Sequence, residues 1–264
     1  MRFGSRTTKA KDGGLREVVT IFVHALIIAF VVRVFLYQPF NIPSGSMQST
    51  LLIGDYLFVS KMAYGYSRYT FPWGLNIVSG RVFASQPKRG DVIVFKLPRD
   101  NSTDYIKRLI GLPGDEVRMR NGALFIKTAG SPDWQEIPRR EVSRFEGIDE
   151  YGRARSTTRY EETLPNGVKY HVLDVETNGS SDNTEIFKVP ANSYFMMGDN
   201  RDNSLDSRVP LKAGGVGFVP FENLVGRADI IFFSVASDDP AASRWKPWRW
   251  PIDTRWMRIG KIVR

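Results

Sequence analysis

The sequence predicts a mainly β protein: an N-terminal transmembrane helix, then an antiparallel β-rich domain that carries a smaller inserted β subdomain. Three observations carry this. One segment, Val18 to Tyr37 (VVTIFVHALIIAFVVRVFLY), is almost wholly apolar, and about 20 such residues are what a helix needs to span a bilayer. After it the chain turns into short β-branched and aromatic runs set between turn residues, in keeping with 23 Gly and 15 Pro. No long amphipathic stretch of helical period follows the anchor.

The elements follow in order. Residues 1–17 form a basic tail, with Arg2, Arg6, Lys9, Lys11 and Arg16 against Asp12 and Glu17. Residues 18–37 are the anchor, and no Lys or Arg follows it until Lys61. That asymmetry places the N-terminus in the cytoplasm and the body outside. The anchor ends in bulky Phe35, Leu36 and Tyr37 with no A-x-A pattern, which argues against a cleaved leader. Arg33, near its outer end, can snorkel to the headgroups. Strands are expected at Tyr56–Ser60, Asp91–Lys96, Tyr105–Ile110, Glu185–Val189, Tyr194–Met197 and Ala228–Val235. Val117–Met119 and Ala123–Lys127 flank Asn121-Gly122, the signal of a type I′ hairpin. Residues 38–120 and 184–264 make the core of the body. Residues 121–183 make a peripheral insertion, polar from about 131, of which part can be disordered. The last twenty-one residues hold four of the six Trp (Trp245, Trp248, Trp250 and Trp256) among seven Lys or Arg. That mixture suits a membrane interface, or packing of the rings on the core. Phe71-Pro72-Trp73 is a second patch of the same kind.

Composition narrows the chemistry. There is no cysteine, which excludes a thiolate nucleophile or thiolate metal site, and there are two histidines. His24 lies in the anchor and His171 in the alternating VKYHVLD, which reads as an ordinary strand. A serine triad would rest on His171 alone; otherwise a serine nucleophile needs a lysine held neutral by burial. The serine-rich Asn41 to Leu52 (NIPSGSMQSTLL) lies just past the anchor, so a nucleophile there would face substrates at the membrane. The net charge of +9 is spread along the chain and does not form a nucleic-acid face. No metal-ligand or cofactor pattern stands out: the acidic loop Gly198 to Arg208 lacks calcium-loop spacing and carries two arginines.

Three blocks occur in order behind the anchor. They are Ile42-Pro43-Ser44-Gly45-Ser46-Met47-Gln48-Ser49-Thr50-Leu51, then Asp104-Tyr105-Ile106-Lys107-Arg108-Leu109-Ile110-Gly111-Leu112-Pro113-Gly114-Asp115, then Gly198-Asp199-Asn200-Arg201-Asp202-Asn203-Ser204-Leu205-Asp206-Ser207-Arg208. Together they resemble the bacterial type I signal peptidases, membrane-bound serine proteases with a Ser-Lys dyad. The resemblance covers roughly Val18 to Val235. It implies that Ser46 is the nucleophile and Lys107 the general base. It implies that Ser44 and the Ser46 backbone N–H hold the oxyanion, that Ser204 orients the lysine, and that Asp206 and Arg208 form a supporting pair. Asp199 and Arg201 are expected to be structural. It places the walls of the substrate pockets at Phe40, Ile42, Pro43, Met47, Leu51, Leu57, Val94, Tyr105 and Ile106. The implied substrates are exported preproteins cut after small residues of the Ala-x-Ala kind. The implied location is the bacterial inner membrane with the catalytic domain outside.

The residues agree with these roles. Period-2 alternation sets Tyr105, Lys107 and Leu109 on one face of a strand, where burial would lower the lysine pKa. Phe40 and Ile42 alternate likewise, so a peptide between the two strands could pair through its backbone. The chain departs from the family at Ser49, where members usually carry Pro. Two other functions fit parts of the pattern. A self-cleaving repressor protease shares a related core, but it lacks an anchor and carries a DNA-binding module. A non-catalytic anchored β domain would tolerate loss of Ser46 or Lys107. A lipid surface is an expected partner, nucleic acid is not, no cofactor or metal is expected, and the sequence carries no sign of oligomeric state.

Overall fold

The computed structural model describes residues 14–71, 79–148, 154–175, 179, 181–236 and 247–264. The tail residues Arg2, Arg6, Lys9 and Lys11, the Pro72-Trp73 part of the aromatic patch, and Arg244, Trp245 and Lys246 lie outside them.

The chain enters as α1 (Leu15–Val31), which runs on into a π-helical turn, Val32–Leu36. Together they form a 22-residue apolar helix, almost none of it covered by the rest of the chain. At 1.5 Å per residue it is about 33 Å long, enough to cross a hydrocarbon core. The helix begins before Val18 and stops one residue short of the expected boundary, because Tyr37 already belongs to β1 (Tyr37–Asn41).

The other strands are β2 (Asp55–Ser60), β3 (Val92–Lys96), β4 (Asp104–Gly111), β5 (Glu116–Arg120), β6 (Ala123–Lys127), β7 (Gln135–Glu136), β8 (Arg139–Ile148), β9 (Ala154–Thr163), β10 (Lys169–Asp174), β11 (Phe187–Lys188), β12 (Ser193–Met197), β13 (Val219–Pro220) and β14 (Leu224–Ser234). All their pairings are antiparallel. A seven-stranded sheet in the order β1-β2-β14-β3-β4-β12-β13 forms the body. Its central strands are buried on both faces, which is why β3 and β4 read as apolar runs rather than clean alternation. One face packs Ile42, Met47, Leu51, Leu57, Val94 and Ile231; the other packs Ile93, Phe95, Leu109, Tyr194 and Leu224. Each such side chain contributes roughly 1.5–3 kcal/mol on burial. Register shifts in β14, between Ala228 and Ile230 and between Ile231 and Phe233, mark bulges at the middle of the sheet. Bulges increase strand twist, and the sheet curls until β1 and the start of β4 line one cleft.

The excursion from this sheet begins earlier than position 121. β5 pairs with β6 across Asn121-Gly122, both in the left-handed region (φ 48° and 74°), as the type I′ signal requires. β5 also pairs with β11, so the small four-stranded sheet β11-β5-β6-β7 reaches from Glu116 to Lys188. The polar stretch after it forms a second sheet, β10-β9-β8. Its β8–β9 pairing is long and mostly solvated, so apolar runs could not announce it. The expected strand at Glu185–Val189 is reduced to the two residues of β11.

Beyond β14 the tail folds back on the body. A short helix, α2 (Trp250–Asp253), precedes residues that bridge to β14. Trp250 packs edge-on against Phe233, while Trp248 and Trp256 face outward. The arginines point the other way: Arg258 forms a bidentate pair with buried Asp55, and Arg255 donates to the Ile53 carbonyl.

Candidate active site

Three segments far apart in sequence meet at the cleft. Ser46 sits in a single 3₁₀ turn, Gly45–Met47, directly after the extended Ile42-Pro43-Ser44. The turn is anchored from below, because Met47 and Leu51 are fully buried in the core. From β4, Lys107 reaches across so that Nζ lies 2.6 Å from Ser46 Oγ. The lysine is 3% exposed and stands 5.4 Å from the Tyr105 ring centroid. Burial pulls its pKa from 10.5 down to about 8; the Asp206 and Asp199 carboxylates limit the fall and Arg208 adds to it. A neutral amine is therefore accessible near physiological pH, and it faces a hydroxyl at proton-transfer distance.

The third block holds the other two in place. Arg108, the neighbour of Lys107 on the opposite face of β4, donates Nε and Nη2 to the two oxygens of Asp199 at 2.8 and 2.7 Å. Both residues are buried. The Thr50 hydroxyl donates to the same carboxylate at 2.5 Å, which ties the segment after Ser46 to the pair. Asn200 completes the clamp: its N–H donates to the Ser46 carbonyl at 3.1 Å and its Nδ2 to the Gly45 carbonyl at 3.1 Å. Arg201 pairs with buried Glu162, and the Tyr170 hydroxyl donates to the same carboxylate. A polar ladder thus runs from the Ser46 turn to the three-stranded sheet β10-β9-β8. Asp206 accepts Nε and Nη2 of Arg208, both at 2.9 Å, and the Gly198 N–H at 3.0 Å. Burial pushes the Asp206 pKa up, but the Arg208 charge and these hydrogen bonds outweigh it, and the carboxyl is held below its ordinary range.

Gly198 is required by this packing. A Cβ there would stand 2.2 Å from Ser204 Oγ and 2.6 Å from the Ser46 carbonyl oxygen. Ser204 is therefore brought against the Ser46 backbone, and its buried Oγ has no hydrogen-bond partner among the described residues. Ser44 is exposed at the cleft and its side chain caps nothing.

The cleft has a volume of about 590 Å³. Of the expected pocket residues, Phe40, Ile42, Pro43, Val94, Tyr105 and Ile106 line it, together with Ser44, Ser46 and Lys107. Met47, Leu51 and Leu57 do not: each is fully buried and packs in the core beneath. His171 stands on β10 opposite Glu161 and lines no part of the cleft. Asn200 and Thr50 emerge as positioning residues that the sequence motifs contain but do not single out. Asp174, Asp182 and Asp202 bring carboxylate oxygens within 4.8 Å of one another, where Arg139 pairs with Asp174 at 3.0 Å.

The family model described as signal peptidase, peptidase S26, matches residues 15–233. A signal peptidase I of Rickettsia typhi is 42% identical over 221 residues, covering 81% of this chain and 78% of the relative. One from Rickettsia prowazekii is 41% identical over the same shares. A crystallised signal peptidase I from Enterococcus faecalis V583 is 26% identical and covers 54% of this chain and 97% of that one; its TM-score of 0.29 is too low to compare architectures.

Proposed function

The chain belongs to the signal peptidase family, peptidase S26, and from that premise we propose that it cuts signal peptides with a Ser46–Lys107 dyad, after small residues, through an acyl-enzyme. Family membership makes it a serine peptidase, and its apolar helix fits a membrane-anchored one.

The observation that carries the dyad is the contact of a buried lysine with a serine hydroxyl at 2.6 Å. Burying a lysine this deeply is costly in a domain that only binds, and no carboxylate forms an ion pair with Lys107 among the described residues. The cost is accounted for if the amine must be neutral. In the proposed reaction Lys107 accepts the Ser46 proton as Oγ attacks the scissile carbonyl. The Ser46 N–H and the exposed Ser44 hydroxyl donate to the oxyanion that forms, at about 3–4 kcal/mol each. The Lys107 ammonium then protonates the leaving amine as the C–N bond breaks. Water activated by the same lysine attacks the ester, and Ser46 recovers its proton. Asp199 ties Arg108 of β4 to Thr50 beside the Ser46 turn, and Asp206 with Arg208 fixes the loop that follows β12.

The substrate would lie extended between Phe40–Pro43 and Tyr105–Lys107. Backbone pairing there is blind to sequence, and the shallow apolar wall of Ile42, Val94 and Ile106 would admit only small side chains. The N-terminus would lie in the cytoplasm and the body outside a bacterial inner membrane, by the charge asymmetry around the anchor. Preproteins with signal peptides are the substrates of this reading. The test is processing of a purified precursor with an Ala-x-Ala site by the full-length protein in detergent. Wild type cuts after the second Ala, while Ser46→Ala and Lys107→Ala, folded and membrane-bound, leave the precursor whole. Equal cutting by Lys107→Ala would favour another base, and no cutting by folded wild type would favour the anchored binding domain. Replacing Ile42 by Trp should shift the tolerated residues, and unchanged specificity would remove Ile42 from the pocket wall.

A further inference from the structure

A second cavity, about 900 Å³, opens where the membrane helix meets the body. Its lining includes Phe30, Arg33 and Val34 from the last turns of the helix, and Lys61, Arg68 and Lys96 from the body. Two of these cations are paired, Arg68 with Glu222 at 3.2 Å and Lys96 with Asp104 at 2.9 Å. The other two are not. Lys61 is 1% exposed, yet its ammonium donates only to the Val34 and Thr70 carbonyls. Arg33 is exposed on the helix and has no hydrogen-bond or ion-pair partner among the described residues.

A buried ammonium beside a second cation, paired with no carboxylate among the described residues, is an uncompensated charge. Burial and the Arg33 charge together pull the Lys61 pKa to about 8. The helix is locally π-helical over Val32–Leu36, a distortion that often marks functional positions. It turns the Val34 carbonyl to the Lys61 ammonium and sets Arg33 over the same cavity. The depth also fits: Arg33 lies in the final turn of a 22-residue span, where the headgroups begin. Beside the cations the lining mixes apolar Phe30, Val34 and Phe71 with polar Asn101, Ser102 and Asp104. Two unpaired cations at headgroup depth, with the apolar side chains of Phe30, Val34 and Phe71 on the helix side of the cavity, match a phosphodiester that carries acyl chains.

We propose that this cavity binds the headgroup phosphate of one anionic phospholipid, held between Arg33 and Lys61. A zwitterionic choline headgroup fits less well, because its own cation would add to the unpaired charges of Arg33 and Lys61. Asp104 lines both this cavity and the catalytic cleft, so a lipid seated here fixes the membrane end of the cleft at the bilayer surface. The inference rests on the membrane-spanning helix and is independent of the cleavage chemistry.

Native mass spectrometry of the full-length protein, released from mixed phosphatidylglycerol and phosphatidylcholine micelles, tests it. Wild type should retain one phosphatidylglycerol with a preference of roughly tenfold. Arg33→Gln, an exposed change that leaves the core intact, and Lys61→Met should each reduce that preference, and the double variant should abolish it. Arg140→Gln with Lys188→Gln, which removes two exposed charges elsewhere, should leave it unchanged. Equal retention of both lipids by wild type would overturn the proposal, as would retention by the double variant equal to wild type. Displacement of the lipid by excess inorganic phosphate would assign a free-anion site and overturn the lipid assignment.

Discussion

Replacing Lys107 by Met should make the protein inactive and, at neutral pH, more stable. The magnitude follows from the burial of the amine. Its pKa falls from 10.5 to about 8 on folding, and at about 1.4 kcal/mol per tenfold change in proton affinity this is about 3 kcal/mol. The unfolded chain keeps the proton up to 10.5, whereas the folded chain releases it near 8. Unfolded protein thus binds more protons across that window, and wild-type stability rises with pH through it. Below pH 8 the full cost is present; above 10.5 it is gone. Met has a similar length and no charge to desolvate, so Lys107→Met escapes the cost at every pH. It gives up the contact with Ser46, worth about 1 kcal/mol. The variant should therefore exceed wild type by about 2 kcal/mol at pH 7 and lose that advantage by pH 10.5. Lys61, also near 8, is present in both proteins and cancels. Thermal unfolding of both full-length proteins in the same detergent, from pH 7 to 10.5, reads this out as a Tm gap of about 4–8 °C that closes with pH. A gap that stays constant with pH would refute the reasoning, since it would mean that Lys107 keeps an ordinary pKa in the fold.

Three other outcomes can be checked. Asp199→Asn leaves fully buried Arg108 without its counter-charge and should cost about 3–5 kcal/mol in chemical denaturation, with cleavage falling because Thr50 loses its anchor. Ser49 has φ of 96°, which proline, locked near about −65°, cannot adopt; Ser49→Pro should lower Tm and activity, whereas Ser49→Gly should gain about 1 kcal/mol. Ser46→Ala should abolish product formation, seen by intact mass, with Tm within a few degrees of wild type because only a partly exposed hydroxyl is removed.

The parts of the fold that the sequence announces are those with a local cause. The anchor is a matter of apolar length, and the β5–β6 turn of two residues that tolerate positive φ. The pair proposed as the dyad, Ser46 and Lys107, is marked in the sequence by three motifs in order, yet the motifs alone do not say what holds the two residues together. Asn200 looked like one polar loop residue among several, and only the fold shows its side chain reaching the Gly45 carbonyl. The family resemblance implies Met47, Leu51 and Leu57 at the pocket wall. The 3₁₀ turn rotates Met47 inward, and β2 presents Leu57 to the core. The β8–β9 pairing was illegible for the opposite reason: solvated on most of its surface, it is specified by backbone pairing and carries little hydrophobic pattern. The left-handed backbone at Ser49 also needed coordinates, since a positive φ at serine has no signature in composition.

The most direct test of the dyad is the pH dependence of kcat/KM for cleavage of an Ala-x-Ala precursor, because that quantity reports the ionisation of the free enzyme. A neutral Lys107 as base predicts a rate that climbs about tenfold per pH unit and levels off near 8. A rate that is flat from pH 6 to 9, or that levels off near 6.5 as a histidine base would, would contradict it.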